Sequence, residues 1–428
     1  MKEKKQRIQE KPPRARRIKP ELPGGFRDYG PGEMIIKQKI IAKLKKTFED
    51  FGFDPIETPD VERTEVLTGG EKESQKIIFN VKGSKEKKSD TSLRFDLTVP
   101  LARFLAMRPE IEKPFKRYQI GNVYRGESPQ AGRFREFMQA DVDIVGASSS
   151  DADSEIVAVI YQSFKNFGIN RFMIKINNRK ILNGMLRLAG FPEKKLIDVI
   201  RVIDKTDKIG KEGIEKELKK ILPKKSLEKI RAFLDIGGNT KEKILQAREM
   251  FKGIASAEEG INELIEIARN CNAAGLDERN WQINFSTARG LGYYTGPVFE
   301  SFLLDLPEIG GIFQGGRYDN LMIPFTGQKI PAVGASLGVD RMFAALEKLG
   351  RIEKKQTKTR VLILNLTPEL KSDYFRMAQK LRNANVNTSL YVGDDRAFQA
   401  QLAYAVKIQV PFVIIYGEEE KKKGRVAV

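Results

Sequence analysis

From Glu33 the apolar positions Ile36, Ile40, Ile41, Leu44, Phe48 and Phe51 recur at helical spacing, and Gly52 supplies a stop. A long amphipathic helix is therefore expected to open the folded body. Residues 53–59 are read as extended, because Pro55 and Pro59 turn their predecessors away from the helical region. Residues 93–107 lead into a second helix. Between 117 and 146 the period drops to two, which predicts two strands joined across 126–132. On the return strand Arg133, Arg135, Phe137, Gln139, Asp141 and Asp143 share one face, while Phe134, Met138, Ala140, Val142 and Ile144 share the other. Taken alone, a polar face of this kind is the solvent side of an antiparallel sheet.

Residues 178–280 return to helical spacing, rich in Lys, Glu, Leu and Ile, and read as a separate helical module. Strand patterning resumes at 281–346 with Gly290, Gly292, Gly296, Gly310, Gly311, Gly315, Gly316, Gly334 and Gly338 inside it, and a helix is expected at 339–349. Glycines weaken strands, so their density implies close approach by a ligand or another backbone. A charged linker at 353–360 leads to buried-type strands at 361–366, 386–392 and 410–416, alternating with helices near 368–383 and 398–408. That order predicts a small parallel α/β domain.

With 428 residues the chain has room for about three domains. Lys and Arg exceed Asp and Glu by 19, and the first twenty residues alone hold nine basic and two acidic groups. Those twenty read as a disordered basic arm, either a solvated tail or an RNA contact. A polyanionic partner fits the excess. No stretch of 18 apolar residues is present to span a membrane. The chain has no histidine and one cysteine, Cys271. Ser-His-Asp and Cys-His catalysis, His-ligated metal sites and intrachain disulfides are excluded, and Cys271 is expected to be structural. Any catalysis must rest on carboxylates, arginines, hydroxyls or the substrate's own groups.

Three arginines stand beside glycine- or carboxylate-bearing turns: Arg125 in Val-Tyr-Arg-Gly-Glu, Arg289 in Arg-Gly-Leu-Gly-Tyr-Tyr-Thr-Gly, and Arg341 in Gly-Ala-Ser-Leu-Gly-Val-Asp-Arg. Guanidinium groups grip phosphate bidentately and keep their charge, so arginines converging on one sheet would make a nucleotide site. In this order the segments resemble the class II aminoacyl-tRNA synthetases, and within them the histidyl family, from about Pro23 onward. Residues 48–59 resemble the family's dimer-forming helix and strand, 125–139 its ATP-binding hairpin, 334–341 its ATP-binding strand and helix. Residues 289–296 resemble a segment peculiar to the histidine enzymes.

The resemblance implies an antiparallel-sheet catalytic domain with a helical insertion, then a C-terminal α/β anticodon-binding domain. The expected boundaries are a basic arm at 1–20, catalytic parts at 21–177 and 281–349, the insertion at 178–280, a linker at 350–360 and the anticodon-binding domain at 361–428. It implies that Arg125 holds the α-phosphate of ATP, Glu127 contacts adenine, Phe137 and Arg341 sandwich its ring, and Arg133 reaches the γ-phosphate. Arg289 would face Arg125 across the α-phosphate, where other synthetases use a metal ion. Asp96 and Gln139 would hold the ammonium of histidine, and Asp143 and Tyr294 its imidazole, with Arg289 and Tyr293 completing the pocket. ATP with Mg²⁺, L-histidine, tRNA(His), a homodimer and a cytoplasmic location follow from the same resemblance; no protein-held metal site does. Gly292 departs from the family's frequent Asp, and the chain ends in a strand-like Gly-Arg-Val-Ala-Val, which raises the expectation of a truncated last domain. Two other readings are a non-catalytic histidine-binding regulatory subunit of ATP phosphoribosyltransferase and a general RNA-binding module. The missing histidines admit selection for synthesis under histidine starvation or plain compositional drift.

Overall fold

A computed structural model describes residues 18–69, 76–85, 89–128, 134–288, 294–353 and 355–428, without the side chains of residues 207 and 208. Eight strands form the main sheet, in the spatial order β1 (Asp54–Pro55), β5 (Phe115–Tyr124), β6 (Glu136–Val145), β11 (Ala332–Gly338), β10 (Phe313–Arg317), β9 (Pro297–Leu303), β7 (Phe172–Asn178), β8 (Trp281–Ile283). The five inner junctions are antiparallel, and β1 and β8 close the edges in parallel. A second, three-stranded antiparallel sheet is made by β2 (Val61–Arg63), β3 (Phe79–Val81) and β4 (Thr91–Leu93), with β4 central.

The alternation at 117–146 folds as the β5–β6 hairpin, in register from Phe115 opposite Val145 to Tyr124 opposite Glu136. Ala140, Val142 and Ile144 of β6 enter the core with Val333, Ala335 and Leu337 of β11 and Phe313 of β10, and Met138 packs against it. The helix Pro31–Asp50 covers that face through Ile36, Ile40, Leu44 and Phe48, each under 8% exposed. Pro31 occupies its first turn, the Glu33 carboxylate accepts from the Gly30 N–H (3.1 Å), and Gly52 terminates the run with φ +74°. The helices Ser150–Asn166 and Val339–Lys348 pack beside it.

Among the described residues six α-helices between β7 and β8 fill most of 179–273, and their apolar faces join the core of the sheet. Ile181, Leu182 and Met185, Phe233 and Phe251, and Ile261 and Leu264 belong to the same apolar cluster as the sheet. The helix Ala255–Ala273 packs against the helix Ser150–Asn166, β7 and the helix Arg179–Ala189, which also meets β7, so that cluster is continuous. Amphipathic periodicity shows that a helix buries a face, not which partner receives it.

The C-terminal residues form β12 (Val361–Ile363) between β13 (Thr388–Leu390) and β14 (Phe412–Ile414), all parallel. The helices Lys371–Asn383 and Phe398–Lys407 make the crossovers and bury Tyr374, Ala378 and Ala405 on the two sides of β12. The strand-like tail makes one antiparallel bridge, Ala427 to Ile415.

Candidate active site

The odd face of β6 carries Phe137, Gln139, Asp141 and Asp143, the two carboxylates buried and the other two half-buried. Cross-strand register extends it into two rows. One runs Lys175, Glu300, Gln314, Ser336, Asp141, Gln119 from β7 to β5; the next runs Asn177, Val298, Gly316, Gly334, Asp143, Arg117. Asp141 and Asp143 are 3% exposed, Gln119 2% and Arg117 0%. The solvent side that this strand suggests by itself gives way once its neighbours are read: the resemblance implies that these polar side chains line a substrate pocket, and around Asp141 and Asp143 the face is covered. Groups this polar are excluded from water only where partners or a ligand satisfy them.

Asp143 is held from two sides. Arg117, directly opposite on β5, places Nη2 2.6 Å from Asp143 Oδ2, and the Tyr318 hydroxyl donates to Oδ1. Arg117 also donates to the Leu97 carbonyl (3.2 Å). Burial pushes the Asp143 carboxyl above its ordinary pKa, while Arg117 and the Tyr318 hydroxyl pull it back. Burial raises Asp141 to about 7, with Arg117 lowering it, Asp143 raising it, and a Ser336 hydrogen bond lowering it. Gln139 Nε2 donates to Ser336 Oγ (2.8 Å). Arg117 Nε and Nη1, Gln139 Oε1, Asp141 Oδ1, Asp143 Oδ2 and Asn177 Oδ1 are buried without a hydrogen-bond partner. These six atoms on one face mark where a polar ligand belongs.

Two glycines make room for this cluster. A Cβ on Gly334 would fall 1.9 Å from Asp143 Oδ1, and one on Gly316 would meet the Pro297 carbonyl at 2.7 Å and the Tyr294 ring at 3.1 Å. The glycine density expected to signal close approach is thus explained here by a carboxylate, a backbone carbonyl and an aromatic ring. Tyr294 lies over Gly316, in the row of Asp143.

At the other end of β6, the Arg125 guanidinium stands 5.0 Å from the Phe137 ring centroid and its Nε donates to the Phe95 carbonyl (3.1 Å). Asp96 accepts from the Val99 N–H (3.1 Å) at the start of the helix Thr98–Ala106. Burial raises its carboxyl, opposed by that hydrogen bond and by Arg125. The Glu127 carbonyl accepts from Arg135 Nε (2.9 Å), and Arg341 donates to the Gly311 carbonyl. Asp340, before Arg341, accepts from Tyr29 Oη (2.6 Å), Lys37 Nζ (2.8 Å) and the Met138 N–H (2.8 Å). It ties the opening segment and first helix to the strand that carries the pocket.

Of the residues singled out from sequence, Asp96, Arg125, Phe137, Gln139, Asp143, Tyr294 and Arg341 lie on or beside this face, and Glu127 follows β5. Arg133, Arg289 and Tyr293, with Gly292, fall outside the described residues, as do residues 1–17 of the basic arm. The sequence reading gives no role to Arg117, Gln119 or Tyr318, and places Asp141 only on the polar face expected to line a pocket. Arg117 and Gln119 alternate with Tyr118 and Ile120, a signal available in the sequence; Tyr318 becomes visible only once β10 and β11 are paired. Cys271 is buried, and desolvation lifts its thiol to about 12, consistent with a structural role.

An antiparallel sheet bearing arginines and buried carboxylates, followed by a parallel α/β domain, is the architecture that the resemblance to class II aminoacyl-tRNA synthetases implies. The histidyl-tRNA synthetase model matches residues 25–342 and the anticodon-binding-domain model 360–428. The histidine–tRNA ligases of Wolinella succinogenes and Clostridium tetani are 42% and 39% identical to it, each across 96% of this chain and 93% and 94% of theirs. The crystal structure of histidyl-tRNA synthetase from a Nostoc species superposes with a TM-score of 0.85 at 32% identity, covering 95% of this chain and 94% of that one. The chain belongs to the histidyl-tRNA synthetase family. A structure titled as an ATP phosphoribosyltransferase regulatory subunit or histidyl-tRNA synthetase, from Bacillus halodurans, is 21% identical and shares the fold. The regulatory-subunit reading is not favoured beside relatives named as ligases at about twice that identity. Among the described residues no helix is long and apolar enough to cross a membrane.

Proposed function

We propose that this chain activates L-histidine with ATP and transfers it to the 3′ end of tRNA(His). The observation that supports this most is the buried polar face around Asp143, whose unpaired donors and acceptors suit a small zwitterion with a polar ring. In the reaction the histidine carboxylate attacks the α-phosphorus, forming a carboxyl–phosphate anhydride while the bond to pyrophosphate breaks. The nucleophile is ionised near neutral pH, so no general base is required and a chain without histidine loses nothing. What the step needs is alignment of two anions and stabilisation of charge on the phosphoryl oxygens.

Arg125 and Arg289 would flank the α-phosphate, Phe137 and Arg341 the adenine, Glu127 its edge, and Arg133 the γ-phosphate. Asp96 and Gln139 would take the ammonium group, and Asp143, Tyr293 and Tyr294 the side-chain end. Among the described residues no group of three or more Asp, Glu or Cys could cage a metal. A Mg²⁺ would be carried in on phosphate oxygens, where it would neutralise triphosphate charge. The divisions into catalytic, helical and anticodon-binding parts, a homodimer built on the first helix, and a cytoplasmic location belong to this same reading. The test is ATP–pyrophosphate exchange on the purified chain: exchange that depends on histidine is expected, and exchange indifferent to histidine overturns the assignment.

A further inference from the structure

We propose that Arg117 is a positioning residue for amino-acid selection, fixing the Asp143 carboxylate so that it presents lone pairs to the ring N–H of the substrate. The proposal rests on the histidine-activating reading above and names a determinant within that site. Arg117 is fully buried and lies opposite Asp143 in register, with Nη2 2.6 Å from Oδ2. The Tyr318 hydroxyl holds the other oxygen, so the carboxylate cannot rotate without breaking one contact. Each carboxylate oxygen has two acceptor positions; the Tyr318 hydroxyl uses one on Oδ1, while Oδ2, ion-paired with the Arg117 guanidinium, has no hydrogen-bond partner. Asp143 is thus clamped and still able to accept.

The location argues for recognition over stability. A buried ion pair commonly adds less stability than apolar residues of the same volume, because both charges lose their hydration. Here apolar neighbours were available, since the opposite face of the same strands is built from Tyr118, Val142, Ile144 and Val333. Arg117 further keeps Nε and Nη1 unbonded, and Asp141 Oδ1 lies unpaired on the same face. A pair meant only to brace the sheet would have its donors filled.

Exchange kinetics on Arg117→Met and Arg117→Lys, with histidine and with β-(2-thienyl)alanine, which lacks the ring N–H, test the proposal. Arg117→Met should raise the histidine KM at least about tenfold, leave the ATP KM within about twofold, and narrow the preference for histidine over the thienyl analogue. Arg117→Lys should recover part of that preference. Adding Asp143→Asn to Arg117→Met should cost much less than Asp143→Asn costs alone, since the two act as one unit. Equal changes in both KM values, or an unchanged preference in the folded variants, would overturn it. If Arg117→Met does not fold, Arg117→Lys carries the same comparison. Wild-type exchange that ignores histidine would instead remove the underlying reading.

Discussion

Two arginines are buried in the main sheet against aspartates, and they do different things. Arg317 of β10, on the core face, meets Asp153 of the helix Ser150–Asn166 through Nη2–Oδ2 (2.6 Å) and Nε–Oδ1 (3.1 Å). It also donates to the carbonyls of Ala147 (2.8 Å) and Ser149 (3.1 Å). Arg117 on the opposite face has comparable burial and an equally short contact, yet two of its nitrogens are idle. Burial does not separate a brace from a binding site. The completeness of the hydrogen bonding does.

Breaking the brace should give the largest change. Asp153→Ala leaves Arg317 charged and buried, and is expected to cost about 3–5 kcal/mol of stability in denaturant titration; the folded fraction should keep its histidine KM. A loss of selectivity in that variant would erase the distinction between the two arginines. Next comes the chemistry itself. Arg289→Ala should slow adenylate formation about 100-fold or more, about 2.7 kcal/mol, with histidine still bound, and near-normal pyrophosphate exchange would remove Arg289 from the catalytic set.

Asp143→Ala should raise the histidine KM about tenfold or more while the ATP KM moves less, because the ring N–H loses its acceptor. Tyr294→Phe is expected to do the same more weakly, and a wild-type histidine KM in both variants would place ring recognition elsewhere. Asp141 sharpens the contrast through pH. Its folded pKa of about 7 lies above the ordinary carboxyl value, so the folded state keeps a proton that the unfolded chain gives up. Stability should therefore fall as pH rises from about 4 to about 7. Asp141→Asn should raise the Tm of the ligand-free protein by a few degrees at pH 8, with the gain shrinking toward pH 4; a gain independent of pH would contradict the assignment. The smallest effect belongs to the arm. If its charges reach tRNA phosphates, removing residues 1–19 should flatten the salt dependence of tRNA binding and leave adenylation unchanged.

The contrast between the faces also explains what could be read from sequence. Period-two alternation in 133–143 separates polar from apolar residues without any tertiary information, and the motif order around Arg125 and Arg341 points to the fold and the family. It does not say which face is covered. Arg117 and Arg317 look alike along the chain, each beside a tyrosine, and their roles diverge only when Asp143 comes from the neighbouring strand and Asp153 from a helix. Tyr318 was missed for the same reason: its partner is 175 positions away. The strong periodicity of 179–273 predicts helices, and the core they share with the sheet depends on contacts no local pattern encodes.

The pairing of β6 with β11 sets a timetable for biosynthesis. Asp143 lies opposite Gly334, so the central seam of the sheet closes only after about 190 further residues have left the ribosome, an interval of about 10–40 s at ordinary elongation rates. Until then the β5–β6 hairpin carries an open edge and an uncovered charged face, the state in which a nascent strand is most exposed to wrong partners. The pocket is therefore among the last parts of the catalytic sheet to be assembled. A chain interrupted before Gly334 has Asp143 and Arg117 but not the backbone that encloses them.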